Sequence, residues 1–260
     1  DVAHGLAMTL RQEGYFLIVT SSEEDPELER KEIDQLLTRK LDALVIASVR
    51  TNAKAYQNIV AQRTPYILID RKPAGNSGHF VGSDDKTIGF LAAEHLISIG
   101  CKRIAHIRGP KNSTGNDRLS GYKKALLQHK MAMPEEYVVD GRMADIDGQR
   151  SGAAATRYLL KLKPAPDAIF CFNDPLAIGS LKAFQEQGIR VPEQVALVGC
   201  GNLHYSDSLR VPLSSVDQQS HKMGERAALL ALDLIRSKNQ GQSRKILLRP
   251  TLIVRASSFR

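Results

Sequence analysis

Tryptophan is absent, and aromatic residues make up only 5% of the 260-residue chain, too few rings for a surface that stacks nucleic-acid bases. Cysteine is scarce as well: Cys101, Cys171 and Cys200 are widely spaced and odd in number. No Cys-x-x-Cys pair occurs, so neither a zinc-finger spacing nor a disulfide framework is present. Reduced thiols in a reducing compartment are expected, two of them within apolar runs. No run approaches the ~20 apolar residues needed to cross a membrane. The opening residues Asp1-Val2-Ala3-His4-Gly5 lack the basic start and apolar stretch of a secretory signal. Gly-x-Ser-x-Gly, P-loop, His-Glu-x-x-His and Gly-x-Gly-x-x-Gly patterns are all missing. The seven histidines show no metal-ligand spacing, and His95, His106 and His129 read as structural. No residue pair offers itself as nucleophile and base, and neither metal nor cofactor is expected.

What is present is an ordinary globular balance, 42% apolar and 25% charged, with a net charge of +8. Such a balance fills a sizeable core. The cations are scattered, the tightest groupings being Lys102-Arg103 and Lys123-Lys124, so a direct nucleic-acid surface within these residues is not expected.

Helix and strand patterns alternate along the chain. Helical spacing runs over residues 2–13 and stops at Gly14, and the apolar run Tyr15-Phe16-Leu17-Ile18-Val19 reads as a buried strand. Further helices are expected over 26–40, 53–62, 84–99, 118–129, 151–160, 174–187 and 222–237. Strands are expected over 41–47, 66–69, 79–82, 103–107, 167–172, 195–198, 246–248 and 251–254. Apolar strands separated by amphipathic helices mean parallel sheets covered on both faces. The alternation restarts near Asp84, which predicts an α/β chain of two doubly wound lobes. Such a lobe opens on a strand whereas this chain opens on a helix, so at least one strand is expected before Asp1.

Several polar residues fall just past strand ends, where a cleft would be lined: Asp70-Arg71, Asp84-Asp85, Asn173-Asp174 and Asn202, with Arg118 opening a helix after Gly109-Pro110. Each has a plain structural alternative. Asp174 before Pro175, and Asp84, serve as helix caps. Arg118 would be a surface charge, and Asp70-Arg71 a self-paired exposed turn. Gly199-Cys200-Gly201 reads as a strand-end turn requiring glycine.

These residues also carry a resemblance. Ile67-Leu68-Ile69-Asp70-Arg71, Arg118-Leu119-Ser120-Gly121-Tyr122 and Pro166-Asp167-Ala168-Ile169-Phe170-Cys171-Phe172-Asn173-Asp174 are similar to segments of the lactose/galactose repressor (LacI/GalR) family. So are Val191-Pro192-Glu193-Gln194-Val195-Ala196-Leu197-Val198-Gly199, Pro212-Leu213-Ser214-Ser215-Val216-Asp217-Gln218 and Val254-Arg255-Ala256-Ser257. The resemblance spans essentially the whole chain in order. It implies the type I periplasmic-binding-protein-like fold: two doubly wound parallel-sheet lobes joined by three crossover strands. One lobe would hold residues 1–83 plus 218–247, the other 84–217 plus 248–260.

The resemblance also implies a function without chemistry. The equivalents of Asp70, Arg118, Asn173 and Gln218 contact a small effector, with Arg71, Asp174, Asn202 and Met143 as further candidates. Two departures matter. Gly201-Asn202 stands where the family usually has an acid, and Met143 where many members have an aromatic, which widens the expected effector from a sugar to larger, less polar or phosphorylated derivatives. Effector binding would rotate the lobes and change the geometry of a homodimer, with Leu176, Ser180, Leu181 and Phe184 as the candidate dimer face or, alternatively, an ordinary core helix. Operator DNA would be read by an N-terminal helix-turn-helix that these residues do not contain. A cytoplasmic setting follows. Arg118→Ala is expected to abolish effector binding and leave the fold intact. Two other classes share the fold: an exported solute-binding protein of a sugar transporter, marked by a signal peptide upstream, and a doubly wound enzyme, marked by turnover of a sugar or nucleotide.

Overall fold

The computed structural model describes residues 1–49, 56–73, 75, 78–141, 147–237 and 242–259. In chain order the elements are α1 (Val2–Gln12), α2 (Pro26–Thr38), β1 (Leu44–Ile46), α3 (Gln57–Ala61), β2 (Tyr66–Ile69), β3 (His79–Ser83), α4 (Asp85–Ser98), β4 (Ile104–Arg108) and α5 (Ser113–Gln128). They continue with β5 (Val138–Asp140), α6 (Gly148–Leu159), β6 (Ala168–Cys171), α7 (Asp174–Glu186), β7 (Ala196–Cys200), β8 (Ser214–Asp217), α8 (Ser220–Ser237), β9 (Lys245–Leu248) and β10 (Thr251–Ile253).

The chain forms two compact units, Asp1–Ser83 with Gln219–Leu248 and Asp84–Gln218 with Arg249–Arg260, so it passes from one to the other after Ser83, Gln218 and Leu248. The first unit has a sheet ordered β1-β2-β3-β9, parallel throughout. The second has β10-β8-β7-β6-β4-β5, parallel except for β10 against β8.

Side-chain alternation along each strand explains why both sheets are covered on both faces. In β2, Ile67 and Ile69 pack with α1 and α8 (Leu6, Leu10, Ala227, Leu230), whereas Leu68 packs with α2 and α3 (Ile33, Leu37, Ile59). In β6, Ala168 and Phe170 join α4 and α5 (Ile88, Leu96, Tyr122), while Ile169 and Cys171 join α6 and α7 (Leu159, Leu176, Phe184). Capping residues set the helix starts. Asp25 accepts from the Glu27 and Leu28 amides ahead of α2, Asp84 from Thr87 ahead of α4, and Asn112 from Gly115 ahead of α5.

The α4/α5 pair lies backbone on backbone. A Cβ at Gly89 would fall 1.9 Å from the Arg118 carbonyl oxygen, and one at Gly121 would fall 2.0 Å from that of Lys86. Gly89→Ala is therefore expected to destabilise the protein by ~1–3 kcal/mol through overpacking. Urea unfolding would show it as a lower midpoint, and an unchanged midpoint would mean that the helices separate at little cost.

Several expectations change. Residues 15–19 form no strand: Phe16 is 92% exposed, and only Tyr15 and Leu17 pack against the α1/α8 core. An apolar run becomes a strand only with a neighbour to pair with, and among the described residues none pairs with this one. Helix α5 begins at Ser113 rather than Arg118, because Asn112 caps a polar first turn that carries no apolar periodicity. β5 and β8 are additional strands. β8 escapes an apolar pattern because Ser214 and Ser215 are buried hydroxyls. The candidate dimer face on α7 lies inside the second unit: Leu176, Ser180 and Phe184 are buried, and Leu181 packs against the same core cluster. Ser180 Oγ accepts from the Thr156 hydroxyl of α6. The plain reading, a core helix, holds there.

Candidate functional site

In the second unit, four parallel strands end along one edge of the sheet: β4 before Gly109, β6 before Phe172-Asn173, β7 before Gly201-Asn202 and β8 before Gln218. Arg118, on the second turn of α5, binds these ends together. Its Nε donates to Asp85 Oδ1 at 2.8 Å, Nη1 to the Phe172 carbonyl at 2.7 Å and Nη2 to Gln218 Oε1 at 2.8 Å. Its guanidinium also lies over the Phe172 ring, 4.4 Å from the centroid. Gly109 makes room for that ring, since a Cβ there would sit 2.5 Å from it. Arg118 is 3% exposed and ion-paired with the buried Asp85. The expectation that Arg118→Ala leaves the fold intact is therefore withdrawn: the change would strand a buried carboxylate. Asp85 is the partner that spacing did not single out; its only signal was its place beside the cap Asp84, just past a strand.

Asn173, not Asp174, caps α7, accepting from the Leu176 amide at 3.1 Å. Asp174 is fully buried. Burial raises its pKa, opposed by hydrogen bonds from Leu203, Ser215 and Ser206. Asn202 adopts φ +50°; its Nδ2 donates to Asp217 Oδ2 at 3.3 Å, and its Oδ1 accepts from Arg255 Nη2 at 2.7 Å. Met143 lies outside the described residues.

In the first unit, Asp70 follows β2 in a left-handed conformation, φ +62°, closed by a 2.6 Å hydrogen bond from the Arg71 amide to the Ile69 carbonyl. A non-glycine residue held there is strained, a feature that concentrates at binding sites. Arg71 Nε stands 3.5 Å from Asp70 Oδ2 and its Nη1 2.7 Å from Glu24 Oε2. The pair is thus more than a self-paired turn, since Glu24 anchors it. Past the end of β1, the buried Glu29 accepts from the Ser48 hydroxyl at 2.9 Å and the Val49 amide at 2.8 Å, and Tyr56 donates to Ser48. Glu29 carried no sequence signal, because within α2 it looks like a solvated helix charge.

Chemically the arrangement is a set of donors and acceptors. His95 Nε2 lies 2.7 Å from Ser258 Oγ, but that hydroxyl is buried and donates to Ser214. The described residues contain no cluster of three or more potential metal ligands, and no described helix is long and apolar enough to cross a membrane.

An α/β chain of two units whose polar residues collect at strand ends is the architecture of a periplasmic-binding-protein-like module. The model of that family, the periplasmic binding protein-like domain, matches residues 93–258. The chain belongs to it and, within it, to the LacI/GalR effector-binding domains. It is 28% identical to the HTH-type transcriptional repressor PurR of Haemophilus influenzae over 99% of this chain and 76% of that protein. It is likewise 28% identical to the arabinose metabolism transcriptional repressor of Geobacillus stearothermophilus, over 99% and 72%. Among solved structures, the transcriptional regulator CelR in its cellobiose complex superposes with a TM-score of 0.87 at 29% identity, covering 98% of this chain and 77% of that one. These relatives are transcriptional regulators, not enzymes.

Proposed function

We propose that the chain is the effector-sensing part of a DNA-binding repressor, and that it takes a neutral, hydroxyl-rich small molecule, a sugar or sugar derivative, without turnover. Arg118, Asn173, Asn202 and Gln218 would contact it, with Asp70 and Arg71 as further candidate contacts, and binding would favour one of two states of the chain. Bound effector would then reset the geometry of a dimer whose N-terminal heads read operator DNA. A near-complete switch requires ~5.5 kcal/mol of differential binding.

The observation that carries this reading is the Arg118 cluster, which draws Asp85, Phe172 and Gln218 to one strand-end edge. A fork of donors beside amides and a carboxylate is the equipment for paired hydroxyls. Charge narrows the class. Arg118 is matched by Asp85, and Arg71 by Glu24 and Asp70, so the two arginines are already neutralised, and a phosphorylated effector would meet these carboxylates.

Calorimetry and thermal unfolding with cellobiose, arabinose and glucose 6-phosphate test this. A neutral sugar at a hundredfold excess over its Kd should stabilise the chain by about 2.7 kcal/mol, with the phosphorylated sugar inert. Binding of glucose 6-phosphate alone would reverse the assignment.

A further inference from the structure

Asp174 lies among the candidate effector contacts in sequence, yet its carboxylate is turned wholly inward. Oδ1 accepts from the Ser215 hydroxyl of β8 at 2.7 Å; Oδ2 accepts from the Leu203 amide at 3.0 Å and the Ser206 hydroxyl at 3.4 Å. The same Ser215 oxygen accepts from the Asn202 amide at 2.9 Å. One buried carboxylate at the start of α7 therefore holds both β8 and the loop that follows β7. The loop is closed on itself around this post: the Ser206 amide donates to Leu203, the Leu213 amide to Ser206, and the Gly201 amide to Val216.

The glycines of Gly199-Cys200-Gly201 fit the same account. A Cβ at Gly199 would fall 2.3 Å from Asp174 Oδ1, and Gly201 takes φ +130°, a conformation closed to other residues. The turn is built around the carboxylate. It leaves Asn202 in a left-handed conformation that costs free energy for a non-glycine residue and persists only where its surroundings impose it.

We propose that Asp174 is a positioning residue: it does not touch the effector but fixes the strained turn that presents Asn202. That Asn202 meets the effector rests on the function proposed above; the clamp itself does not. Every protein group the structure brings to the carboxylate at hydrogen-bonding distance is a donor, which suits an ionised acceptor at a helix N-terminus. In Asp174→Asn the charge is lost and one acceptor oxygen becomes an NH2 donor, so the clamp weakens with little change in volume.

The test uses amide NMR on the 15N-labelled chain. In Asp174→Asn the Leu203 amide proton should move upfield on losing its charged acceptor. Leu203 and Asn202 should exchange on the order of tenfold faster or more, as loss of one charge-assisted hydrogen bond implies, while amides of β4 and β6 keep their protection. Unchanged Leu203 and Asn202 amides would overturn the clamp. If Asp174→Asn does not fold, Ser215→Ala decides: it removes one donor and leaves the carboxylate, and the Leu203 amide, which bonds the carboxylate and not Ser215, should exchange faster, no change being the contrary result. For any of cellobiose, arabinose or glucose 6-phosphate that binds the parent, Asp174→Asn should weaken affinity on the order of tenfold. It should add nothing further on top of Asn202→Ala; additive losses would put Asp174 in the site itself and overturn the indirect role. If no probe binds the parent, the effector reading is what suffers, and the amide measurements still decide the clamp.

Discussion

Arg118→Ala will cost both effector binding and about 3–5 kcal/mol of stability, the penalty for removing one partner of a buried ion pair. Asp85 is buried with its Oδ1 2.8 Å from Arg118 Nε, and without the guanidinium it stays as an uncompensated charge. The Phe172 carbonyl and Gln218 amide lose the donor that joins the ends of β6 and β8. Arg118→Lys keeps a charge but not the planar fork, and should recover only part of either loss. Asp85→Asn placed on Arg118→Ala should restore stability without restoring binding, because it removes the stranded charge and does not replace the guanidinium fork. Urea unfolding of the four proteins measures the first effect, and calorimetry with cellobiose or arabinose the second. If Arg118→Ala unfolds at the same urea concentration as the parent, the buried pair is not what holds these strand ends.

How far the sequence could be read depends on whether a residue's role is local. The β2 run Ile67-Leu68-Ile69 announced a strand with two covered faces, and the structure places its side chains alternately against α1/α8 and α2/α3. Asp84 announced a helix start and caps α4. Both signals depend on neighbours within a few residues. Failures came where the deciding partner is remote. The apolar run at 15–19 looked like a strand, but a strand is defined by its ladder. Ser214-Ser215 did not look like one, yet β8 is buried because its hydroxyls find Arg255 and Asp174 forty-one positions away in sequence. The stripe Leu176, Ser180, Leu181 and Phe184 was legible as an apolar face; whether α6 and the sheet or a second subunit covers it is a tertiary fact. The same distinction runs through the site. Strand-end position nominated Asp85 and Asn202, and the loop Gly109-Pro110 nominated Arg118, while the pairing of Asp85 with Arg118, thirty-three residues away, became visible only once α4 and α5 were packed together.

Acid should destabilise the protein steeply through a buried residue that is not among the candidate effector contacts. His106 lies in the middle of β4, fully buried, stacked 4.6 Å from the Phe170 ring and 5.1 Å from Tyr122. Its Nδ1 is 3.0 Å from the Phe170 carbonyl, and Nε2 has no hydrogen-bond partner among the described residues. Desolvation is the main force lowering its pKa from 6.5 to about 3; the Phe170 carbonyl opposes this, and the Arg108 and Arg118 cations add to it. The unfolded chain therefore binds a proton that the folded chain refuses. Stability is whole above pH 6.5, falls as pH drops, and levels off near the folded value of about 3. The slope for one proton is about 1.4 kcal/mol per pH unit, which amounts to ~3 kcal/mol by pH 4. His106→Gln keeps a donor for the Phe170 carbonyl and cannot titrate. Whatever its stability at pH 7.5, it should lose ~3 kcal/mol less than the parent between pH 7.5 and pH 4 in urea unfolding. Equal losses in the two proteins would assign acid sensitivity to other groups and mean that the β4 imidazole takes up its proton without unfolding the sheet.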